Sequence, residues 1–240
     1  MKLVTPAVLE KEYSVLSEKI ERVCPYVDAV QIDICDGNFT DSKTWPYTGI
    51  GPSLEELTNS DEVFPCIDEA KLEVDLMVAQ PEKIIGQWIG LGATRIVVHV
   101  ESTSKISEII SEMKHTYGYD KDFAPGLLSL GLAVSIQTPL SAYEKYLDDI
   151  DFIQFMGIAT IGKQGQKFDA RVLVKIAELR KKYPDQRIQV DGGVSLETAQ
   201  DLLKAGIDHL VVGSALFGTE DLESTIREFE KTAEQYGRYE

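Results

Sequence analysis

Cysteine is scarce in this chain: Cys24, Cys35 and Cys66 are the three among 240 residues, and no two of them stand in a CxxC spacing. An odd, unpatterned set argues against a disulfide framework and a zinc knuckle, so reduced thiols are expected. Long apolar runs are lacking too. No stretch approaches the roughly 20 residues of a transmembrane helix, and Met1-Lys2-Leu3-Val4 lacks the apolar centre of a signal peptide, which predicts a soluble, cytoplasmic protein. Positive charge is in short supply, with 24 Lys and Arg against 40 Asp and Glu, a formal net charge of -16. Such a surface repels nucleic acid and anionic membranes, so an anionic substrate has to be gripped by local backbone donors. No linker argues for a second domain. Residues 1–240, 43% hydrophobic, are expected to build one core in one domain.

What is present alternates between two periods. Residues 2–9, 29–35, 71–78, 95–100, 130–135, 151–158, 187–190 and 209–212 read as strands rich in Val, Ile and Leu. Helical patterns fall between them, at 13–23, from Pro81, at 103–115, from Thr138-Pro139-Leu140, at 168–183, from Thr198 and at 222–236. A long polar stretch, 36–60, reads as a loop in which Trp45 and Tyr47 cover a site or meet a partner subunit. The alternation predicts an α/β fold with a parallel sheet covered on both faces, a closed (β/α)8 TIM barrel, with a doubly wound open sheet as the alternative.

In a barrel, chemistry gathers at the C-terminal ends of the strands. The run Ala29-Val30-Gln31-Ile32-Asp33-Ile34-Cys35-Asp36-Gly37 places Val30, Ile32 and Ile34 on one face and Gln31, Asp33 and Cys35 on the other. Either that second face meets water or it lines a site. Other strand ends add Asp75, Met77, His99, Glu101, Met156 and Asp191. Several carboxylates aimed at one mouth repel, so one of them is protonated or a cation sits among them. Asp191-Gly192-Gly193 and Val212-Gly213-Ser214 both turn on glycine before a helix, which brings backbone N-H groups together with no side chain in the way, as a phosphate requires.

Pro6-Ala7-Val8-Leu9, Val30 to Gly37, Leu72 to Met77, Val97-Val98-His99-Val100-Glu101, Thr138-Pro139-Leu140, Gly165-Gln166-Lys167-Phe168, Val190 to Gly193 and Val212 to Gly218 together resemble the ribulose-phosphate 3-epimerases and their ketohexose-phosphate relatives. The resemblance implies a TIM barrel of the ribulose-phosphate-binding type. It implies a pentose-phosphate isomerase that interconverts ribulose 5-phosphate and xylulose 5-phosphate, with Asp33 and Asp191 exchanging a proton at C3 from opposite faces. Met77 and Met156 match methionines that cap the reacting carbons in that family; with them, Gly192, Gly193, Gly213 and Ser214 of the two glycine turns, and Lys163 of the loop after the sixth strand, are the expected substrate and phosphate contacts.

The chain also departs from that pattern. The family's two metal-binding histidines are replaced by Gln31 and Asp75, a serine by Ala7 and one capping methionine by Cys35, and the loop from Gly157 to Gly165 is one residue longer. A metal set of Gln31, Asp33, Asp75 and Asp191 offers only oxygens, which suit Mg2+ or Mn2+ better than Zn2+. Without a metal, crowding protonates Asp75 or Asp191. His99 is expected to support a ligand rather than be one, and His115 and His209 to be structural. Another enediolate lyase or isomerase of the phosphate-binding barrels, and a non-catalytic phosphosugar-binding protein, remain as alternatives. The expected partner is a phosphorylated ketose, with homo-oligomerisation left open.

Overall fold

In the computed structural model, which describes residues 3–60, 64–121 and 127–237, the apolar stretches form eight strands. These are β1 (Val4–Val8), β2 (Ala29–Cys35), β3 (Lys71–Met77), β4 (Ala93–His99), β5 (Ser129–Val134), β6 (Phe152–Met156), β7 (Arg187–Asp191) and β8 (His209–Val212). Each pairs in parallel with the next, and β8 returns to β1 with Leu210 opposite Val4, so the sheet is closed. That closure excludes the open doubly wound alternative. Of the first expected strand, Lys2 lies outside the described residues.

The α-helices are α1 (Tyr13–Val23), α2 (Leu54–Asn59), α3 (Ile85–Gly90), α4 (Ile106–Thr116), α5 (Arg171–Lys182), α6 (Leu196–Lys204), α7 (Ser214–Phe217) and α8 (Leu222–Tyr236). Helical spacing explains their buried faces: Leu16, Ile20 and Val23 on α1, and Val172, Ile176 and Leu179 on α5, recur every three or four residues and enter one large outer core. No helix among the described residues is long and apolar enough to cross a membrane.

Three expectations need correction. The helix expected after β5 is instead a pair of 3-10 segments, Leu140–Ala142 and Glu144–Asp149. The buried residues Tyr143, Tyr146, Leu147 and Ile150 fall three apart in two pairs, the repeat of that tighter helix. The stretch 36–60 is not all loop, because Ser53 and Glu56 cap each other's backbone in a reciprocal box that starts α2. Finally, Cys24 and Cys66 are not separate thiols. The end of α1 and the connection ahead of β3 fold together, with Cα atoms 6.2 Å apart, and the two form a disulfide; Cys35 stays free and buried. A separation of 42 residues leaves no local pattern from which to read that pairing.

Trp45 plugs the outer core and does not cover the mouth. It is 1% exposed, lies 4.8 Å from the Tyr13 ring and 5.9 Å from Trp88, and donates its indole N-H to the Pro52 carbonyl at 2.7 Å. Tyr47 stays exposed. Trp45→Ala is expected to lose about 3–5 kcal/mol of stability, seen in urea unfolding as a lower midpoint at an unchanged m-value.

Candidate active site

Strand alternation builds the site from β2 outward. Val30, Ile32 and Ile34 join the outer core, so Gln31, Asp33 and Cys35 face the barrel interior. Every residue of β2 is buried, which rules out the reading in which the polar face meets water. The register then sets Asp33 of β2 beside Asp75 of β3, and Asp191 of β7 beside Met156 of β6. One oxygen from each of Asp33, Asp75 and Asp191 lies within 4.8 Å of the others, and all three side chains are buried.

Amides and one imidazole hold these carboxylates. Gln31 Nε2 donates to Asp33 Oδ1 at 2.7 Å and to Asp191 Oδ2 at 3.1 Å, which leaves its own buried Oε1 without a partner. Asp75 Oδ1 lies 3.0 Å from His99 Nε2, while Asp75 Oδ2 accepts from Gln154 Nε2 at 2.8 Å. His99 therefore touches the cluster through Asp75. His115 ends α4 in solvent, and His209 lies at the opposite end of the barrel, where burial and the nearby Arg95 and Arg187 push it down to about 3. Asp36 turns away from the cluster and accepts from the backbone N-H groups of Asn38, Phe39 and Ala79, which ties two loops together. Glu101 accepts from the Ser135 N-H at 2.9 Å and so braces a loop as well.

Burial sets the charges. It raises Asp33 well above the usual carboxylate range, and the neighbouring Asp191 and Asp75 carboxylates raise it further. Asp191 is pushed up to about 7, mainly by burial and then by Asp75, against the donated Gln31 hydrogen bond. Burial opposes a charge on His99, but Asp75 beside it more than compensates, and the imidazole is held above its ordinary value. Burial pushes the Cys35 thiol up to about 12, so it is a neutral group packed 4.0 Å from Met77 Sδ.

A cleft at the C-terminal mouth joins Asp33 and Asp191 to Met77, Met156 and Lys163 and to the turns Gly192, Gly193, Gly213 and Ser214. Gln31 and Asp75 lie outside its lining. The loop after β6 folds into this cleft. Gln164, a residue that the sequence did not single out, donates its amide to the Ala7 carbonyl at 3.2 Å, and its nitrogen lies 2.7 Å from where a Cβ on Gly213 would stand. Gly193, at φ +69°, passes the Phe168 backbone so closely that a Cβ would come within 2.7 Å of it. Lys163 Nζ is 3.9 Å from Asp41 Oδ2, and both groups are largely exposed, so that pair adds little.

Whether these residues suit a metal is answered by their donors. Three buried carboxylates and an unpartnered amide oxygen form an oxygen-rich set that fits a hard divalent cation. As oriented, the Gln31 amide gives its N-H groups to two carboxylates; turned over, it would add an oxygen to them, which only a cation would favour.

The model of the Ribulose-phosphate 3 epimerase family matches residues 3–217. Ribulose-phosphate 3-epimerase of Schizosaccharomyces pombe is 31% identical over 224 residues, covering 93% of this chain and 90% of the relative. The enzyme of that name from Bacillus subtilis is 30% identical, covering 94% and 96%. In fold, the chain resembles a solved 3-hexulose-6-phosphate synthase at a TM-score of 0.67 and 17% identity, covering 97% of this chain and 99% of that one.

The raised carboxylates make a prediction for stability. Asp191 titrates near 3.8 when unfolded and at about 7 when folded, so between those values the folded state binds more protons and loses stability as pH rises. With a chelator present, Asp191→Asn is expected to melt above the wild type. That difference in Tm should be small near pH 4 and grow toward pH 7; a pH-independent difference would refute the assignment.

Proposed function

The chain belongs to the ribulose-phosphate 3-epimerase family, whose members are isomerases, and from that premise we propose that it is a ketose-phosphate 3-epimerase working by two-base proton transfer. The observation that carries this reading is the pair Asp33 and Asp191. Both line one cleft, both share the Gln31 amide, and both are held above the usual carboxylate range. A base in that range takes a proton and an acid in that range returns it near neutral pH.

The ketose phosphate lies in the cleft with its C3 between the two aspartates. One carboxylate removes the C3 proton, an enediolate forms, and the other, protonated, delivers a proton to the opposite face. Met77 and Met156 supply apolar walls, which keep water from quenching the intermediate. Backbone at Gly192, Gly193, Gly213 and Ser214 borders the place for phosphate, and ligand entry requires the Gln164 amide to leave it. A divalent cation held by Asp33, Asp75, Asp191 and the Gln31 oxygen would, when bound, polarise the ketone and stabilise the enediolate. The all-oxygen set supports Mg2+ or Mn2+ over Zn2+.

Incubation with D-ribulose 5-phosphate in D2O, with and without Mn2+, is expected to place deuterium at C3 and to yield xylulose 5-phosphate. Asp33→Asn and Asp191→Asn should each lower kcat by about 10²- to 10⁴-fold. No deuterium at C3 under any of these conditions would sink the epimerase reading. If phosphosugars then still raised the Tm without turnover, the protein would be a binding homologue.

A further inference from the structure

Below the three carboxylates, the barrel interior carries a connected file of buried polar side chains that the proton transfer does not use. Arg95 of β4 and Glu73 of β3 form an ion pair through Arg95 Nε at 2.5 Å. Arg95 also donates from a terminal guanidinium nitrogen to Gln189 Oε1 at 3.1 Å. Gln189 Nε2 donates to Glu73 Oε1 at 3.0 Å and to Gln154 Oε1 at 2.6 Å. Gln154 Nε2 in turn donates to Asp75 Oδ2 at 2.8 Å and approaches Met156 Sδ at 3.6 Å. Glu73, Gln154, Gln189 and Asp75 are each at most 1% exposed.

The direction of every bond in this file is decided at its far end. Arginine can only donate and an ionised glutamate can only accept, so together they allow Gln189 one orientation, with its oxygen toward Arg95 and its amide nitrogen toward Glu73. The second N-H of Gln189 then points at Gln154 and forces that amide to present oxygen below and nitrogen above. The nitrogen meets Asp75, which is thereby bound as an acceptor. Had Gln154 been free to turn, its oxygen would face a carboxylate, an arrangement that a dry interior penalises.

We propose that Gln154 is a positioning residue for the reaction, and that Arg95 and Glu73, acting through Gln189, set its amide so that the Asp75 carboxylate is held in one plane against His99. This role rests on the epimerase reading for its effect on rate, but not for its effect on geometry. Asp75 is thereby held at both oxygens, by Gln154 and by His99, while Asp33 and Asp191 open on the cleft. Gln154 hydrogen-bonds to neither of them, nor does it line the cleft.

Three proteins test the rate: wild type, Gln154→Met and Gln189→Met. Gln154→Met keeps the length and removes the donor, and it should lower kcat for C3 exchange by about 10- to 100-fold. KM should stay within about twofold. Gln189→Met removes the N-H that orients Gln154 and adds no charge beside Glu73, so the Gln154 amide is free to turn; kcat should fall here too, by less than in Gln154→Met, although the residue lies one step further from the site. A role in packing alone would shift Tm and KM together. Either that pattern, or an unchanged kcat in folded Gln154→Met, overturns the proposal. A second readout needs no substrate. In the unliganded, 15N-labelled protein one Gln154 side-chain amide proton should lie downfield, and this shift should disappear in Asp75→Asn and in Gln189→Met. If the wild type fails to exchange C3 hydrogen but this signature holds, the epimerase reading falls and the positioning file stands. A Gln154 amide signal indifferent to both substitutions refutes the file itself.

Discussion

Three carboxylates crowded into a dry interior are the constraint on which this protein is built. Two unit charges 4 Å apart repel by about 4 kcal/mol at an effective dielectric of 20, so the cluster cannot remain fully ionised without help. Help comes in several forms. The Gln31 amide bridges two of the acids, His99 and Gln154 bind both oxygens of the third, and burial raises Asp33 and Asp191 toward their neutral forms. Each device answers the same electrostatic problem, and each leaves a proton or a lone pair where the proposed proton transfer would use it.

That arrangement trades stability for reactivity. An acid that stays protonated near neutral pH because it is buried is a liability to the folded state and an asset to proton transfer. The barrel sustains the liability through the outer core, in which the β strands contribute Val, Ile and Leu on their other faces and the helices close over them. The inner apolar cluster is small by comparison: among the described residues it consists of Val97, Ala133, Phe152 and Met156, with Ile161 packed against it. The interior is thus mostly polar near the site, and its order depends on hydrogen bonds rather than on packed hydrocarbon.

Much of this is legible in the chain. A period of two in β2 separates Val30, Ile32 and Ile34 from Gln31, Asp33 and Cys35, and the structure keeps that division. Glycines before two neighbouring helices mark turns that do border the cleft. Other signals are present in the sequence but are easily passed over: Ser53 and Glu56 stand at capping-box spacing within a stretch that otherwise reads as loop, and Glu73, Gln154 and Gln189 occupy the same inward phase as Asp75, Met156 and Asp191. Neither the Cys24–Cys66 pairing nor the seat of Gln164 against Ala7 has a local signal, because both depend on where distant segments meet. Tertiary packing also overrides the helical expectation after β5, where the buried residues repeat at three.

The alternation of β2 has a consequence for how this protein can change over generations. A substitution on its inward face would alter one group of the interior at a time, because the outer face holds the strand in place regardless. A single inserted or deleted residue in the strand is a different event. It would turn Asp33 toward the helices and Ile32 or Ile34 into the cleft, so the carboxylate cluster and the outer core would be lost in the same step. The register therefore lets the strand vary in kind but not in count, and leaves changes of length to the connections between strands.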